Sequence, residues 1–409
     1  MTIDTHHHIL PDFFWQATEN ADAPVGGLAP LQWSKEASIS FMDDAGIDVA
    51  VVSLSTPGVH TGDSAKARTL ARRCNEFSAE NKGSHDRQSS RPLTIDTHHH
   101  LLPDFFWQAT ENADAPVGGL APLRWSKEAA ISFMDDAGID IAVLSLSTPG
   151  VHTGDSTKAR SLARRCNEYL AELVHARPDR FGGFACLPLP DIDASMQELL
   201  FALDVLKLDG VVLFTNSLGV YLGDPRLEPV FEQLERRNAV VYVHPNPSPD
   251  PVAHSLGLPD NLIDFTSDTN RAVAQMHYTG RFARTPNVKY IFSHAGGSIP
   301  YLAARFAIID EMGFIPGGEQ RGTAADMFRR IYWDTALAAS EPVLSMLRDV
   351  AGIDRVLYGT DFPYLRRDLA VGSKQRILQS SALNDHEKNK ILGRNSSRLF
   401  PRVCSALTS

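Results

Sequence analysis

The chain is poor in cysteine: Cys74, Cys166, Cys186 and Cys404 are all it has, and no two form a CxxC pair. Reduced, structural thiols are the expectation, not a disulfide framework. It also lacks any Lys/Arg-rich run. The formal charge of −10 and isoelectric point near 5.8 argue against a nucleic-acid or anionic-membrane surface and favour a small-molecule partner. No stretch approaches the roughly 18 apolar residues of a membrane span. The opening MTIDTHHHILPDFF has no basic region followed by an apolar one, so a cytoplasmic protein is expected. What is present is an ordinary globular composition over 409 residues, 43% hydrophobic and 22% charged, enough for one large domain or two smaller ones.

The most unusual feature is a repeat. Residues 2–80 align with 94–172 at an offset of 92, and nine of the 79 positions differ. Loops and exposed faces match as closely as core positions, unlike the drifted units of a solenoid, so the pattern reads as a recent partial duplication or a gene-model artefact. The second segment runs on as LARRCNEYLAELVHARPDRFGG, with Leu162, Cys166, Tyr169, Leu170 and Leu173 at helical spacing. The first breaks off after Glu80 into NKGSHDRQSSRPL, and its Ser78 stands where the second has Leu170. Using the first segment to open the fold would require looping out the whole second one, at roughly 1 to 3 kcal/mol of closure entropy. The expected organisation is therefore a surplus copy at 1–80, a polar linker at 81–93 and a functional domain at 94–409. Exchange of the two copies, within or between chains, is the minority alternative.

From residue 94 onward, short β-branched apolar runs alternate with helix-like stretches. TIDTHH, IDIAVLSLS, RFGGFACLP, DGVVLFTN, AVVYVHP, VKYIFSHAG, RIYWDTA and DRVLYGTD make eight candidate strands, and residues 126–137 read as a helix between Ser126 as N-cap and Gly138 as stop. Eight βα units fit an α/β fold of the (β/α)8, TIM-like barrel type, with the partial duplicate of its first βαβ region appended at the N-terminus. The connection 102–124, rich in Pro, Gly and aromatics, is long enough to lie over the barrel mouth.

The polar residues that stand out all fall at C-terminal strand ends, where such barrels build active sites. Alternation along strand one sends His98 and His100 to one side and His99 to the other. An HxH alone is equally what a solvated run looks like. VVYVHPNP places His244 at the end of strand five and VLYGTDFP places Asp361 at the end of strand eight; each alone could be a hydrogen-bonded core histidine or a helix cap. Together, three imidazoles and a carboxylate around one mouth match a Zn2+-type site with an open position. In YIFSHAGGSIP, His294 is the candidate for proton transfer, and the two glycines after it suggest backbone free to approach a ligand.

DTHHHLLP, VHPNP, SHAGGSIPYLAAR and LYGTDFPY, in that order over nearly all of residues 94–400, resemble the amidohydrolase superfamily and, within it, the aminocarboxymuconate-semialdehyde decarboxylase family. WSKEAAISFMDDAGIDIAVLSLSTPGV, NEYLAEL, PDRFGGFACLPLPD and RRNAVVYVHP resemble more closely its 6-methylsalicylate decarboxylase branch. The resemblance implies a metal-dependent, non-oxidative decarboxylase on a distorted barrel, a homodimer or larger. Carried over by motif, His98, His100, His244 and Asp361 are the ligands of Zn2+, or of Mn2+ or another divalent cation, and His294 is the acid/base. The extra N-terminal copy has no counterpart in that pattern. A bridging lysine at the end of strand four, as two-metal amidohydrolases use, is missing, because GVVLFTN is followed by Ser217 and Leu218. Pro245, Asn246 and Pro247 occupy the place after His244 where a deaminase of this fold would carry a Glu.

For an ortho-hydroxybenzoate the cation could take the carboxylate and the neighbouring phenolic oxygen together, with His294 or Asp361 delivering a proton to the ring carbon; for a muconate-like substrate metal hydroxide would instead add to the conjugated chain. Arg124, whose counterpart in the first copy is Gln32, and Arg271 are candidates for gripping a substrate carboxylate. Trp107, with Phe105 and Phe106, is a candidate apolar wall. The competing readings are a hydrolase using the same single cation and an inactive, duplicated pseudo-enzyme.

Overall fold

The computed structural model describes residues 3–18, 33–45, 47, 49–55, 58–59, 63–80, 92–110, 123–250, 257–313, 315 and 321–406. The chain divides into two compact units, Met1–Arg91 and Pro92–Ser409. Residues 81–91 of the expected linker and 111–122 of the long connection lie outside the described residues; the start of that connection is a short helix, Asp104–Ala109.

In the larger unit the eight expected strands form one parallel sheet. They are β1 Ile95–His100, β2 Ile141–Ser145, β3 Phe181–Cys186, β4 Gly210–Phe214, β5 Val240–His244, β6 Lys289–Phe292, β7 Tyr332–Asp334 and β8 Val356–Leu357, hydrogen-bonded in chain order. Strands such as IAVLS and GVVLF are buried along their whole length, as parallel strands covered on both faces must be. The ring closes just beyond β8: the amide of Thr97 donates to Tyr358 O (3.0 Å), that of Asp361 to His98 O (2.9 Å) and that of His100 to Phe362 O (2.8 Å). This seam puts the residues after β8 directly against the histidines of β1.

Helices pack outside the ring. Lys127–Ala137 begins at Ser126, whose hydroxyl accepts from the Ala129 amide (3.1 Å), and stops at Gly138 in the left-handed region (φ 61°). Ser156–Ala176 starts at Asp155, which accepts from the amides of Thr157 and Lys158, and buries Leu162, Cys166, Leu170 and Leu173. Leu170 fills the space left by Gly183 of β3, where an added Cβ would sit 3.0 Å from the leucine side chain. Burying such a leucine stabilises by about 1.5 to 3 kcal/mol. Ser78, at the matching position of the first segment, has no comparable apolar bulk.

The smaller unit holds a two-stranded parallel sheet, Ile3–His8 with Val49–Ser53, and helices Asp12–Ala17, Lys35–Ala45 and Ser64–Glu80. Its small core is Leu10, Phe14, Trp15, Leu70 and Cys74. All four cysteines of the chain are free thiols. No helix among the described residues is long and apolar enough to cross a membrane.

Candidate metal centre

Alternation along β1 turns His98 and His100 into the barrel and His99 out. The His99 ring stacks on Phe362, centroids 4.5 Å apart, and its Nδ1 meets Asp96 Oδ2 at 3.0 Å. Asp96 also accepts from the Thr360 amide (3.0 Å) and hydroxyl (2.5 Å), which fixes the turn leading to Asp361. Asp361 itself lies in the left-handed region (φ 62°). Non-glycine residues occupy it at a cost, and such strain collects at functional sites.

The donor atoms of His98, His100, His244 and Asp361 all fall within 4.8 Å of one another, and all four residues are buried. Nε2 of His98, Nε2 of His100 and Oδ1 of Asp361 are mutually 3.1 Å apart. Ligands at about 2.0–2.2 Å from a small divalent cation stand about 3.3 Å from each other, so the spacing is that of a coordination shell. The tautomers agree. His98 Nδ1–H donates to Asp334 Oδ2 (2.9 Å) and His244 Nδ1–H to Pro245 O (2.9 Å), leaving each Nε2 with its lone pair for a cation. Three nitrogens and one carboxylate oxygen suit a divalent transition-metal cation.

Electrostatics without a cation point the same way. Burial opposes charge on His98, but Asp334 and Asp361 outweigh it and push its pKa up to about 10. Burial, then the neighbouring imidazoles, hold His244 well below the usual histidine range, and burial lowers His100. Burial works against ionised Asp361, yet His98 and His100 keep its carboxyl well below the ordinary value. A positive centre is already required to balance the cluster.

His294 approaches His98, ring centroids 4.8 Å apart, and burial, then His98, lower its pKa from the usual histidine value. Its backbone (φ 54°) is fixed by its amide donating to Asp334 Oδ1 (2.8 Å), and its Nδ1–H points at Ala336 O (3.3 Å). Nε2 is therefore the nitrogen able to exchange a proton. Of the glycines after it, Gly296 packs on the Trp333 indole, which a Cβ would strike, while Gly297 lines the cavity at a place where a Cβ would lie 2.6 Å from Thr266 O. A cavity of about 330 Å3 opens beside the cluster, walled by His244, His294, Asp361, Tyr364, Ser147 and Phe265 among others.

Arg124, Arg271 and Trp107 are not among the residues lining that cavity. Arg124 is exposed. Arg271 is exposed on the helix Asp264–Tyr278 and faces Asp268 (3.5 Å) and Asp264 (3.9 Å). Trp107 is buried, its indole N–H donating to Leu123 O (3.3 Å), so it packs the connection after β1. Sequence reasoning passed over Asp334, which joins four donors: His98, Tyr242 (3.0 Å), and the amides of His294 and Ala336 (3.0 Å). Its signal was an acidic residue ending the otherwise apolar strand RIYWDTA.

The chain belongs to the amidohydrolase family, whose profile matches residues 95–402. Within that family it stands with the metal-dependent decarboxylases of aromatic acids. It is 34% identical to a 6-methylsalicylic acid decarboxylase of Aspergillus aculeatus over 76% of this chain and 97% of the relative. It superposes on a solved amidohydrolase II with a TM-score of 0.71 at 30% identity, covering 75% of this chain and 99% of that one. A 5-carboxyvanillate decarboxylase of Novosphingobium aromaticivorans, solved with manganese and 4-hydroxy-3-methoxy-5-nitrobenzoic acid, matches with a TM-score of 0.66 at 25% identity over 76% of this chain and 96% of its own.

Proposed function

We propose that the chain releases CO2 from an ortho-hydroxybenzoate of the 6-methylsalicylate type. In this reading His98, His100, His244 and Asp361 hold one divalent cation, zinc or manganese, and His294 moves the proton. The observation that carries the reading is the convergence of those four donor atoms beside a cavity walled by His294. A bound cation supplies Lewis acidity and a template for the carboxylate and the adjacent phenolic oxygen.

The chain's own residues do the rest. Protonated His294 gives its Nε2 proton to the ring carbon bearing the carboxylate. The bond to the carboxylate then breaks, its electron pair returns to the ring, CO2 departs, and the imidazole is left neutral. Burial makes His294 a stronger acid than free imidazole, which favours the transfer. Asp361 keeps its charge and is committed to ligation, so the proton falls to His294. Residues 94–409 form the catalytic domain, and residues 1–80 take no part in turnover.

The test is CO2 release from 6-methylsalicylate set against a panel of amides, lactones and amino-heterocycles, with the metal content measured alongside. Release of CO2 that is lost in His294→Ala supports the decarboxylase; turnover of the panel without CO2 would make it a hydrolase. Zinc and manganese are distinguished by reconstituting the metal-free chain with each. Light scattering reads the homodimer or larger assembly that the resemblance implies.

A further inference from the structure

The cavity beside the metal centre is lined by few polar groups that are free to act. Thr148 already gives its hydroxyl to Asn246 Oδ1 (2.5 Å) and Thr266 to Ile263 O (2.8 Å). Ser340 and Asn261 are exposed at the rim. Two hydroxyls differ from these. The oxygens of Ser147 and Tyr364 are both buried, lie within reach of each other and have no other hydrogen-bond partner, although both residues line the cavity. A buried hydroxyl left unpaired costs about 1 to 3 kcal/mol, which a fold tolerates where a ligand completes the pairing.

Their placement fits that role. Ser147 follows the end of β2. Tyr364 is anchored by its amide donating to Asp361 O (2.9 Å), and its ring stands edge-on to His100 with centroids 5.3 Å apart. The hydroxyls therefore flank the side of the cavity nearest the ligand cluster. The charge of the wall is equally informative: no lysine or arginine is among the described lining residues. The segments 111–122 and 251–256 contain none in their sequence either. Phe265, Leu262, Leu337, Ala338 and Val343 supply an apolar flank instead.

We propose that the Ser147 and Tyr364 hydroxyls donate to the substrate's carboxylate edge, and that the site selects hydroxybenzoates bearing a single carboxylate and an apolar ring substituent. The inference rests on the decarboxylase reading above. Two neutral donors and one cation satisfy one carboxylate. A second carboxylate in place of the methyl group would find no lysine or arginine among the described lining residues to pair with it, and an unpaired buried charge is strongly disfavoured.

The test uses the full metal-loaded chain, 6-methylsalicylate, its unreactive sulfonate analogue 2-hydroxy-6-methylbenzenesulfonate, and 3-hydroxybenzene-1,2-dicarboxylate, in which a carboxylate replaces the methyl. Tyr364→Phe and Ser147→Ala are each expected to weaken sulfonate binding by calorimetry about 10-fold and to lower kcat/KM about 10- to 100-fold, the range of a lost hydrogen bond to a charged group. Metal content should stay at one equivalent in both variants, which separates a lost donor from a damaged centre. The dicarboxylate should be at least about 100-fold poorer than 6-methylsalicylate. Unchanged sulfonate affinity in both variants, or equal turnover of the dicarboxylate, overturns this inference while leaving the decarboxylase reading intact. A wild-type chain that holds its metal but neither binds the sulfonate nor releases CO2 overturns both.

Discussion

Residues 2–80 and 94–172 present almost the same sequence in two settings. In both, the HxH pair forms the same local shape: Nε2 atoms 3.1 Å apart and rings nearly perpendicular, at 84° for His6 and His8 and 90° for His98 and His100. The burial around the pair differs. His98 and His100 are fully buried, whereas His6 is exposed and His8 half-buried. Phe133, Val143 and Leu144 are fully buried, while their counterparts Phe41, Val51 and Val52 are 56%, 54% and 41% exposed. Strand geometry sets the spacing of a two-histidine clamp; distant strands decide whether it becomes a centre. The first segment ends before any counterpart of His244, Asp334 or Asp361 is reached.

The largest expected effect comes from removing what the second setting adds. His244→Ala or Asp361→Asn should reduce kcat about 1,000-fold or more and drop bound metal below one equivalent, read by elemental analysis and CO2 release. If either variant kept its metal and its rate, the barrel would not be what distinguishes the two clamps. Next is Asp334→Asn. Removing the partner of His98 should weaken metal affinity about 10- to 100-fold, measured by competition with a chelator, whereas the same assay on Asp4→Asn should show no change at the central site.

The fold was legible because its signals are local. Most of the eight strands announce themselves as apolar runs, and Ser126 and Gly138 bracket their helix in one short window. The four residues of the candidate quartet stood out because His100 and His244 end their strands, His98 alternates with His100 in β1, and Asp361 follows β8 within a few residues. Asp334 did not, because its role exists only once its side chain meets His98 of β1 and Tyr242 of β5. The placements of Arg124, Arg271 and Trp107 depend on tertiary context too: Asp268 draws Arg271 along its own helix, and Leu123 holds the Trp107 indole. Ser147 and Tyr364 carry no sequence signal at all, since an unpaired hydroxyl is visible only after every neighbour is placed.

Protonation sharpens the comparison further. Without metal, His98 holds a proton below about pH 10, while burial keeps His100 and His244 neutral. A cation needs the Nε2 lone pair of His98, so binding must release one proton. Apparent affinity should therefore rise with pH, by about tenfold per unit between about pH 6 and 9, and level off above 10. Titrations in weakly coordinating buffers at several pH values check this, and a pH-independent affinity would mean that His98 is not charged in the metal-free protein. The smallest effect is expected from deleting residues 1–91, which should leave metal stoichiometry and kcat/KM unchanged.

The most direct test makes the same change in both settings of the full-length chain. His98→Ala with His100→Ala should abolish tightly bound metal and CO2 release from 6-methylsalicylate, and His6→Ala with His8→Ala should leave both at the wild-type level. Loss of metal and turnover in the His6/His8 variant, with both retained in the His98/His100 variant, would contradict the account and place the centre on the first segment.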